Sequence, residues 1–405
     1  MADSLEHLVV DGNEVLEMKL VRSVEDLEND DTSFAPEMCH QVFGENENIF
    51  GYTDLKIKLY YTAGSLRTYF SISYSDKIEP NKSEGLKADD IEGAIKKVLA
   101  PGYITNLDVF VSKLHKEKSF TPHGELIYSF TATQDGGEPR TFEVYYSEIS
   151  TRGFLQYHQR LQTFLLWYID AASFIDTDDD QWTFFTVFEK YDTGEGRRYA
   201  TAGYSTVYRY YAYPQHKRPR IAQVLTLPPF RRMGICAHML KAIYSHFIAQ
   251  PEVLDITVED PSKDFQRVRD YVDAKYCESL PAFHPSNLVK GFSEEMAKQA
   301  CEKYKINKLQ ARRVYEILRF KNTNTSDKTA YLKYRLNVKN RLNAPFQKKN
   351  LEMKKLQKVL KPNEYAATVS SSGPTETHAR LSTTYLALEA DYRRVVHRLE
   401  HDRAH

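Results

Sequence analysis

Apolar residues change their spacing several times along this chain, and each change marks an element. Leu55 to Tyr61 alternates apolar and polar positions, Gly64-Ser65 offers a turn, and Thr68 to Tyr74 resumes the alternation, which predicts a β-hairpin. Asp89 to Leu99 moves to helical spacing, with two acids at its start and Pro101-Gly102 beyond its end. Strands at Leu126 to Ala132 and Phe142 to Tyr146 flank a turn-rich stretch at 135–139, so a second hairpin follows. Phe154 to Phe174, dense in apolar and aromatic residues, predicts one long core helix, and Thr183 to Glu189 begins another strand. The Tyr-, Thr- and Val-rich stretch Tyr199 to Tyr213 reads as a strand and leads through Pro214 into the next. Val224 to Ala237, V-L-T-L-P-P-F-R-R-M-G-I-C-A, is an apolar strand stopped at Pro228-Pro229, then a small-residue turn opening an amphipathic helix at His238 to Phe247. Leu254 to Val258 adds a strand and Asp264 to Tyr276 a helix.

Beyond Pro281 strand signals vanish, and helices are expected at Ser293 to Tyr304, Lys308 to Arg319, Lys328 to Arg341 and Leu381 to His401. The predicted fold class is α+β/mixed: a mixed β-sheet flanked by helices, an α+β N-terminal domain and a C-terminal helical bundle. Expected boundaries are 1–118 for the N-terminal domain, 119–281 for the sheet domain, 282–365 for a basic helical domain, 366–380 for a flexible linker and 381–405 for the last helix. No internal repeat is present.

Composition sharpens this picture in three places. At 405 residues with 41% apolar content, the chain can build more than one core. No apolar stretch approaches the roughly 20 residues that span a bilayer, and Met1 to Asn13 lacks the basic and apolar regions of a secretory signal, so a soluble intracellular protein without membrane partners is expected. Cys39, Cys236, Cys277 and Cys301 are scattered without C-x-x-C spacing, which suggests reduced thiols rather than disulfides or zinc. Lys plus Arg and Asp plus Glu both number 55, but the balance hides a division. Residues 302–361 carry 18 basic and 4 acidic side chains, leaving the rest of the chain acidic. An acidic body suits a cationic polymer substrate, and the basic segment reads as a solvated helical face rather than a sequence-specific nucleic-acid reader.

The strand, turn and helix at Val224 to Ala237 are where the chemistry concentrates. The first amides of a helix lack intrahelical partners and lie at the positive end of its dipole, so they bind anions without a lysine. Val253 to Lys263, V-L-D-I-T-V-E-D-P-S-K, places two carboxylates, Glu259 and Asp260, at a strand end, where alternation turns them to opposite sides unless the chain bends at Pro261. Burial would raise either toward the range useful for a base. Their bland reading is a solvated strand end. The acidic loop Asp176, Asp178, Asp179 and Asp180 lacks the glycine and closing glutamate of an EF-hand, so no metal is expected.

The turn resembles the fingerprint of the GNAT acetyltransferases, Arg or Gln, two residues, Gly, one residue, Gly or Ala, written here Arg231-Arg232-Met233-Gly234-Ile235-Cys236, with Cys236 replacing the final small residue. Longer motifs are similar to the type B histone acetyltransferase catalytic subunits: R-L-Q-T-F-L-L-W at Arg160 to Trp167, A-S-F-I-D at Ala172 to Asp176, V-L-D-I-T-V-E-D-P-S-K, and A-R-R-V-Y-E-I-L-R at Ala311 to Arg319. The likeness runs from about Glu17 to Lys361.

That resemblance implies a GNAT-type fold and transfer of acetyl from acetyl-CoA to lysines in the amino-terminal tail of new, nucleosome-free histone H-four. It implies Glu259 as general base, with Asp260 and Asp170 as supporting or alternative carboxylates; Asp170 stands where relatives can carry the longer glutamate. Val224, Leu225 and Thr226 would hold the pantetheine arm through main-chain groups, and Arg231, Arg232, Met233, Gly234, Ile235, Cys236 and Ala237 the pyrophosphate. Ser262 is either a coenzyme contact or the N-cap of the following helix. Cys236 is read as spacing rather than as a nucleophile. Glu45, Asn46, Glu47, Trp182, Tyr208, Arg209 and Tyr210 would line the histone groove, Arg209 through its backbone. The resemblance also implies a WD-repeat β-propeller partner and a location in nucleus and cytoplasm. Rival readings are a non-catalytic histone carrier with a vestigial cofactor pocket, and a GNAT enzyme acetylating other amines.

Overall fold

The computed structural model describes residues 8–80, 85–134, 136–359 and 374–401. It is a mixed α+β protein whose backbone gathers into two compact units, one of residues 1–213 and 217–246, the other of 214–216 and 247–405.

The first unit begins with a four-stranded sheet of β1 (Leu16–Val21), β2 (Ser33–Phe34), β3 (Lys56–Thr62) and β4 (Thr68–Ser73), in the order β2-β1-β3-β4. β1 and β3 run parallel, whereas β3 and β4 form the expected antiparallel hairpin with Tyr60 opposite Tyr69. Helices α1 (Ile91–Val98) and α2 (Leu107–Leu114) each start on a capping side chain, Asp90 accepting from the Gly93 amide and Asn106 from that of Val109. Phe110 and Leu114, one turn apart on α2, are buried with Val21, Tyr60 and Tyr69.

A larger antiparallel sheet follows, made of β5 (Glu125–Ala132), β6 (Arg140–Glu148), β7 (Trp182–Thr193), β8 (Gly196–Ala212) and β9 (His216–Thr226) in the order β9-β8-β7-β6-β5. β6 and β7 are longer than predicted, running from Arg140 to Glu148 and from Trp182 to Thr193. Cross-strand pairs such as Thr141↔Lys190 and Tyr191↔Arg198 carry the ladder past the predicted strand ends. The helix expected over Phe154 to Phe174 is shorter and broken: α3 (Phe154–Leu161) tightens to a 3-10 turn at Gln162–Phe164, and α4 (Leu165–Tyr168) stops at Ile169, whose backbone is extended. Helical spacing could not locate this stop, because the eight residues Leu161 to Tyr168 leading to it are all buried and present no solvent face. The unit closes with α5 (Ile235–Ile248).

The second unit is helical: α6 (Lys263–Cys277), α7 (Glu294–Tyr304), α8 (Lys308–Lys321), α9 (Lys328–Val359) and α10 (Pro374–His401). α9 continues past Arg341 through Pro345, the following residues being mostly strong helix formers. The expected linker 366–380 lies outside the described residues up to 373, and from Pro374 onward the chain is already helical. Buried carboxylates bind the helices together. Glu316 on α8 accepts from Arg341 Nε and Nη2 at 2.6 and 2.8 Å and from the Tyr392 hydroxyl at 2.9 Å, and Asp270 on α6 accepts from Arg313 Nε at 2.7 Å. Part of the basic surplus of 302–361 thus neutralises interior acids instead of facing water.

His158 sits in the aromatic core of the first unit, within 2.5 Å of the Tyr204 hydroxyl and stacked on Phe154. Burial pushes its imidazole down from 6.5 to about 3. In the window between these values the unfolded chain takes up a proton that the folded chain refuses, so this contribution to stability is complete above about pH 6.5 and is lost as pH falls. Urea midpoints measured between about pH 7.5 and pH 5 are expected to fall, and His158→Gln, while less stable at the higher pH, to show a shallower fall. Parallel slopes in the two proteins would remove His158 as the cause.

Candidate active site

The last turns of β9 alternate cleanly: Ile221, Gln223, Leu225 and Leu227 are buried, Val224 and Thr226 only partly so. Pro228–Phe230 closes a 3-10 turn, and the chain then places Arg232 (φ 64°) and Gly234 (φ 74°) in the left-handed region before α5 begins at Ile235. Gly234 adopts this conformation at no steric cost, whereas Arg232 does so against its Cβ. The turn ends at the N-terminus of α5, the kind of helix start at which backbone amides can meet an anion. The Ala237 and His238 amides donate to the Gly234 carbonyl at 3.0 and 3.1 Å, which marks the start of the helix. Thr226 Oγ1, at the strand's last residue, is buried without a hydrogen-bond partner among the described residues. Cys236 is a half-buried thiol, outside any disulfide, in the first turn.

This turn is anchored from below. Phe230, Met233 and Ile235 are buried. The Phe230 ring lies 5.1 Å from the Arg140 guanidinium and 5.9 Å from that of Arg22, and Arg140 Nη1 reaches Met233 Sδ at 3.6 Å. Both arginines end on the buried Glu189 of β7: Arg140 donates through Nε and Nη2 at 2.6 and 2.5 Å, and Arg22 through Nη2 at 2.5 Å. Arg231 turns its guanidinium to the Thr226 carbonyl at 3.3 Å, to Glu37, and over the Tyr168 ring. Its side chain therefore fixes the turn, while Arg232 is exposed.

Asp170 lies in the turn after α4, largely exposed, with Oδ1 3.1 Å from His40 Nε2. The other ring nitrogen, His40 Nδ1, is 3.6 Å from Glu47 Oε1. One imidazole thus joins two of the expected carboxylates, a link that sequence spacing did not reveal: His40 follows a buried cysteine in an unremarked short helix, His40–Phe43. Glu47 accepts from the Cys39 and His40 amides at 2.6 and 3.0 Å and from Asn13 Nδ2 at 3.0 Å. These bonds, the Cys39 amide foremost, hold its carboxyl below the usual range. Glu45 and Asn46 form the exposed turn just before it.

Trp182, Tyr208 and Tyr210 form a ladder at the end of β7 and β8, with Trp182 directly opposite Tyr208 and ring centroids 4.9 and 4.5 Å apart in succession. A hydrogen bond to Asp179 raises the Tyr208 phenol. Arg209 points away from this ladder, donating through Nη1 to Glu148 at 3.0 Å and through Nη2 to the Asp180 carbonyl at 2.5 Å. Glu148 is a second participant that the sequence reading missed.

In the second unit, Glu259 and Asp260 are exposed, and Asp260 has a φ of 30°. The segment leading to them is held by Ile256, whose amide donates to the Lys305 carbonyl at 2.8 Å and whose own carbonyl accepts from Arg269 Nη2 and Asn307 Nδ2. Ser262 Oγ accepts from the Phe265 amide at 3.2 Å, so this residue caps α6. Among the described residues no His, Cys, Asp and Glu cluster has the arrangement of a metal site, and no helix is long and apolar enough to cross a membrane.

Burial, then the charges of Glu47 and Asp11, push the Cys39 thiol up to about 12. Glu47→Gln removes one of those charges and loosens the Cys39 and His40 amides, and the rate of Cys39 alkylation by iodoacetamide at about pH 8, followed by mass spectrometry, is expected to rise several-fold. An unchanged rate would show that Glu47 neither shields nor orders this corner.

Two family descriptions match the chain: "Histone acetyl transferase HAT1 N-terminus" over residues 8–170 and "Histone acetyltransferase type B catalytic subunit, C-terminal" over residues 269–320. The mouse histone acetyltransferase type B catalytic subunit is 47% identical over 388 residues, covering 96% of this chain and 93% of the mouse protein. The human protein of the same name is 46% identical over 96% of this chain and 92% of its own length, and that of Cryptococcus neoformans is 30% identical over 98% and 99%. With 47% identity maintained over nearly the whole of both chains, this protein belongs to the family of type B histone acetyltransferase catalytic subunits and is an acetyltransferase.

Proposed function

We propose that the chain transfers acetyl from acetyl-CoA to lysine side chains in the amino-terminal tail of new, nucleosome-free histone H-four, by direct attack in a ternary complex. A GNAT-type layout, with residues 119–281 as the transfer domain, is part of this reading. The observation that carries it is the anchored turn between β9 and α5, with two left-handed residues at a helix start.

The residues present fit the coenzyme. The turn Arg231 to Ala237 would hold a pyrophosphate, through groups ahead of the Ala237 amide, which already donates to the Gly234 carbonyl; the edge of β9 at Val224 to Thr226 supplies main-chain groups for an amide-bearing arm, and the unpartnered Thr226 hydroxyl offers one further polar contact. When bound, acetyl-CoA supplies the activated thioester. Ser262 serves as the cap of α6 in this reading, and Cys236 as a small spacer, so no acetylated cysteine lies on the path.

The chain's own residues manage the proton and the substrate's charge. A lysine ammonium has an intrinsic pKa near 10.4, so a base must take its proton before attack. Glu259 is that base, with Asp260 and Asp170 as supporting carboxylates, Asp170 oriented by His40. Because Glu259 is exposed, water has to be excluded from it by the bound substrates themselves. The faces of Trp182, Tyr208 and Tyr210 receive the aliphatic stems and cationic ends of the tail, Glu45, Asn46 and Glu47 lie along it, and Arg209 contributes through its backbone. A WD-repeat β-propeller holding the rest of the histone, and residence in both cytoplasm and nucleus, complete the proposal.

Mass spectrometry of a histone-tail peptide incubated with the protein and acetyl-CoA is expected to show lysine acetylation. Glu259→Gln is expected to lower turnover by roughly 100-fold or more, the scale of general-base catalysis, with little change in coenzyme affinity by calorimetry. Wild-type turnover in that variant would remove Glu259 from the mechanism. Preferential acetylation of polyamines or protein amino termini in direct competition would replace the substrate.

A further inference from the structure

A second charged recess lies in the first unit, apart from the turn before α5. The loop joining β3 and β4 carries Arg67, and α3 carries Arg160, whose Nε donates to the Ser65 carbonyl at 2.9 Å. Both line a cavity of about 570 Å³ together with His123, Gln156, Gln159 and Phe120. A neighbouring hollow of about 290 Å³ shares Ser65, Arg67 and Phe120 with it and adds Lys113 and Lys116. One acid, Glu117, lines this pair of hollows, and it is already engaged: Oε2 accepts from the Gly64 and Ser65 amides at 3.0 and 2.9 Å, and Oε1 from the Ser65 hydroxyl.

Among the described residues, Arg67, Arg160, Lys113 and Lys116 form no ion pair, in contrast to Arg140, Arg209, Arg313 and Arg341, each of which meets a carboxylate. Burial, and next the charge of Arg67, push the Arg160 guanidinium down to about 10. Two like charges held together in a partly desolvated hollow are costly unless an anion joins them. Side-chain amides at Gln156 and Gln159 add donors, and the ring of Phe120, with Ala100 and Pro101, makes one wall apolar.

We infer that this recess binds a small organic phosphate, its phosphoryl group held between Arg67 and Arg160 and its apolar body against Phe120, Ala100 and Pro101. Guanidinium forks match phosphate oxygens in pairs, and an apolar wall favours an ester over the free ion. Lys113 and Lys116, in the adjoining hollow, accommodate a second phosphoryl group.

Full-length protein free of coenzyme A is titrated calorimetrically with phenyl phosphate and separately with inorganic phosphate, and dependence on Arg67 and Arg160 distinguishes this recess from the turn before α5. Phenyl phosphate is expected to bind, and to bind more tightly than inorganic phosphate. Arg160→Gln and Arg67→Gln are each expected to weaken it about tenfold, the loss of a charge-assisted pair. Arg67 is exposed, so its variant tests the site without disturbing the core, and a thermal melt of each variant confirms folding. Absence of binding, or equal affinity in wild type and the folded Arg67→Gln variant, overturns the inference. Equal affinity for the two phosphates overturns the role of the apolar wall.

Discussion

The buried carboxylate of Glu189 is the constraint on which the first unit's chemistry rests. A carboxylate taken from water in mid-strand costs several kcal/mol, and only close, well-aligned partners return it. Burial opposes the charge of Glu189, yet the guanidiniums of Arg140 and Arg22 hold its carboxyl below the ordinary range. They come from different layers, Arg140 from the large sheet and Arg22 from just beyond β1 of the small one, so a single acid ties the sheets together. The same two cations lie against Phe230. Moving the turn before α5 would pull an aromatic ring away from two charges and Met233 away from an arginine. The turn that the proposed coenzyme site would use is therefore held in place in advance, which is the condition for a site that loses little entropy on binding.

The second unit uses the same device with the signs distributed differently. Glu316 and Asp270 are wholly buried, and the arginines that meet them come from a segment whose composition suggested a solvated basic face. Arg313 and Arg341 each span from one helix to a carboxylate on another, so the charge that dominates the composition of 302–361 is partly structural. Removing either acid would leave a partly exposed guanidinium without its partner, at a cost below the roughly 3 to 5 kcal/mol of a fully buried pair because water still reaches the arginine. Net charge along a chain thus overstates what is offered to a partner wherever the charges have neighbours in the third dimension.

Much of the secondary structure was legible because its causes are local. Alternation marked β3 and β4, caps at Asp90 and Ser262 marked helix starts, and the small residues after Pro229 marked the turn before α5. Illegible features depended on burial from all sides or on distant partners. The stop at Ile169 follows a run with no solvent face to set a phase, and the lengths of β7 and β8 are fixed by each other's ladder. The candidate site divides the same way. The fingerprint from Arg231 to Cys236 could be read from spacing, but the engagement of Arg231 with Glu37 and Tyr168, and the bridge that His40 makes between Asp170 and Glu47, join positions far apart in the chain.

That pattern bears on how an acidic body meets a cationic peptide of the kind proposed. The acidic surplus outside 302–361 suits a cationic partner. In the structure Glu47 is occupied by two amides and Asn13, Asp179 by Tyr208, and Glu148 by Arg209, each with correspondingly less to offer an incoming cation. The aromatic ladder is less committed. Arg220 already lays its guanidinium 4.9 Å from the Tyr210 centroid, an internal example of the contact a peptide arginine or lysine would make on the neighbouring faces. Such a contact is worth about 0.5 to 2 kcal/mol and needs no desolvated carboxylate. In the proposed binding, exposed carboxylates at Glu45 and Asp170 would orient and attract, with strength that falls as salt rises, while the rings of Trp182 and Tyr208 would supply the part that salt screens least.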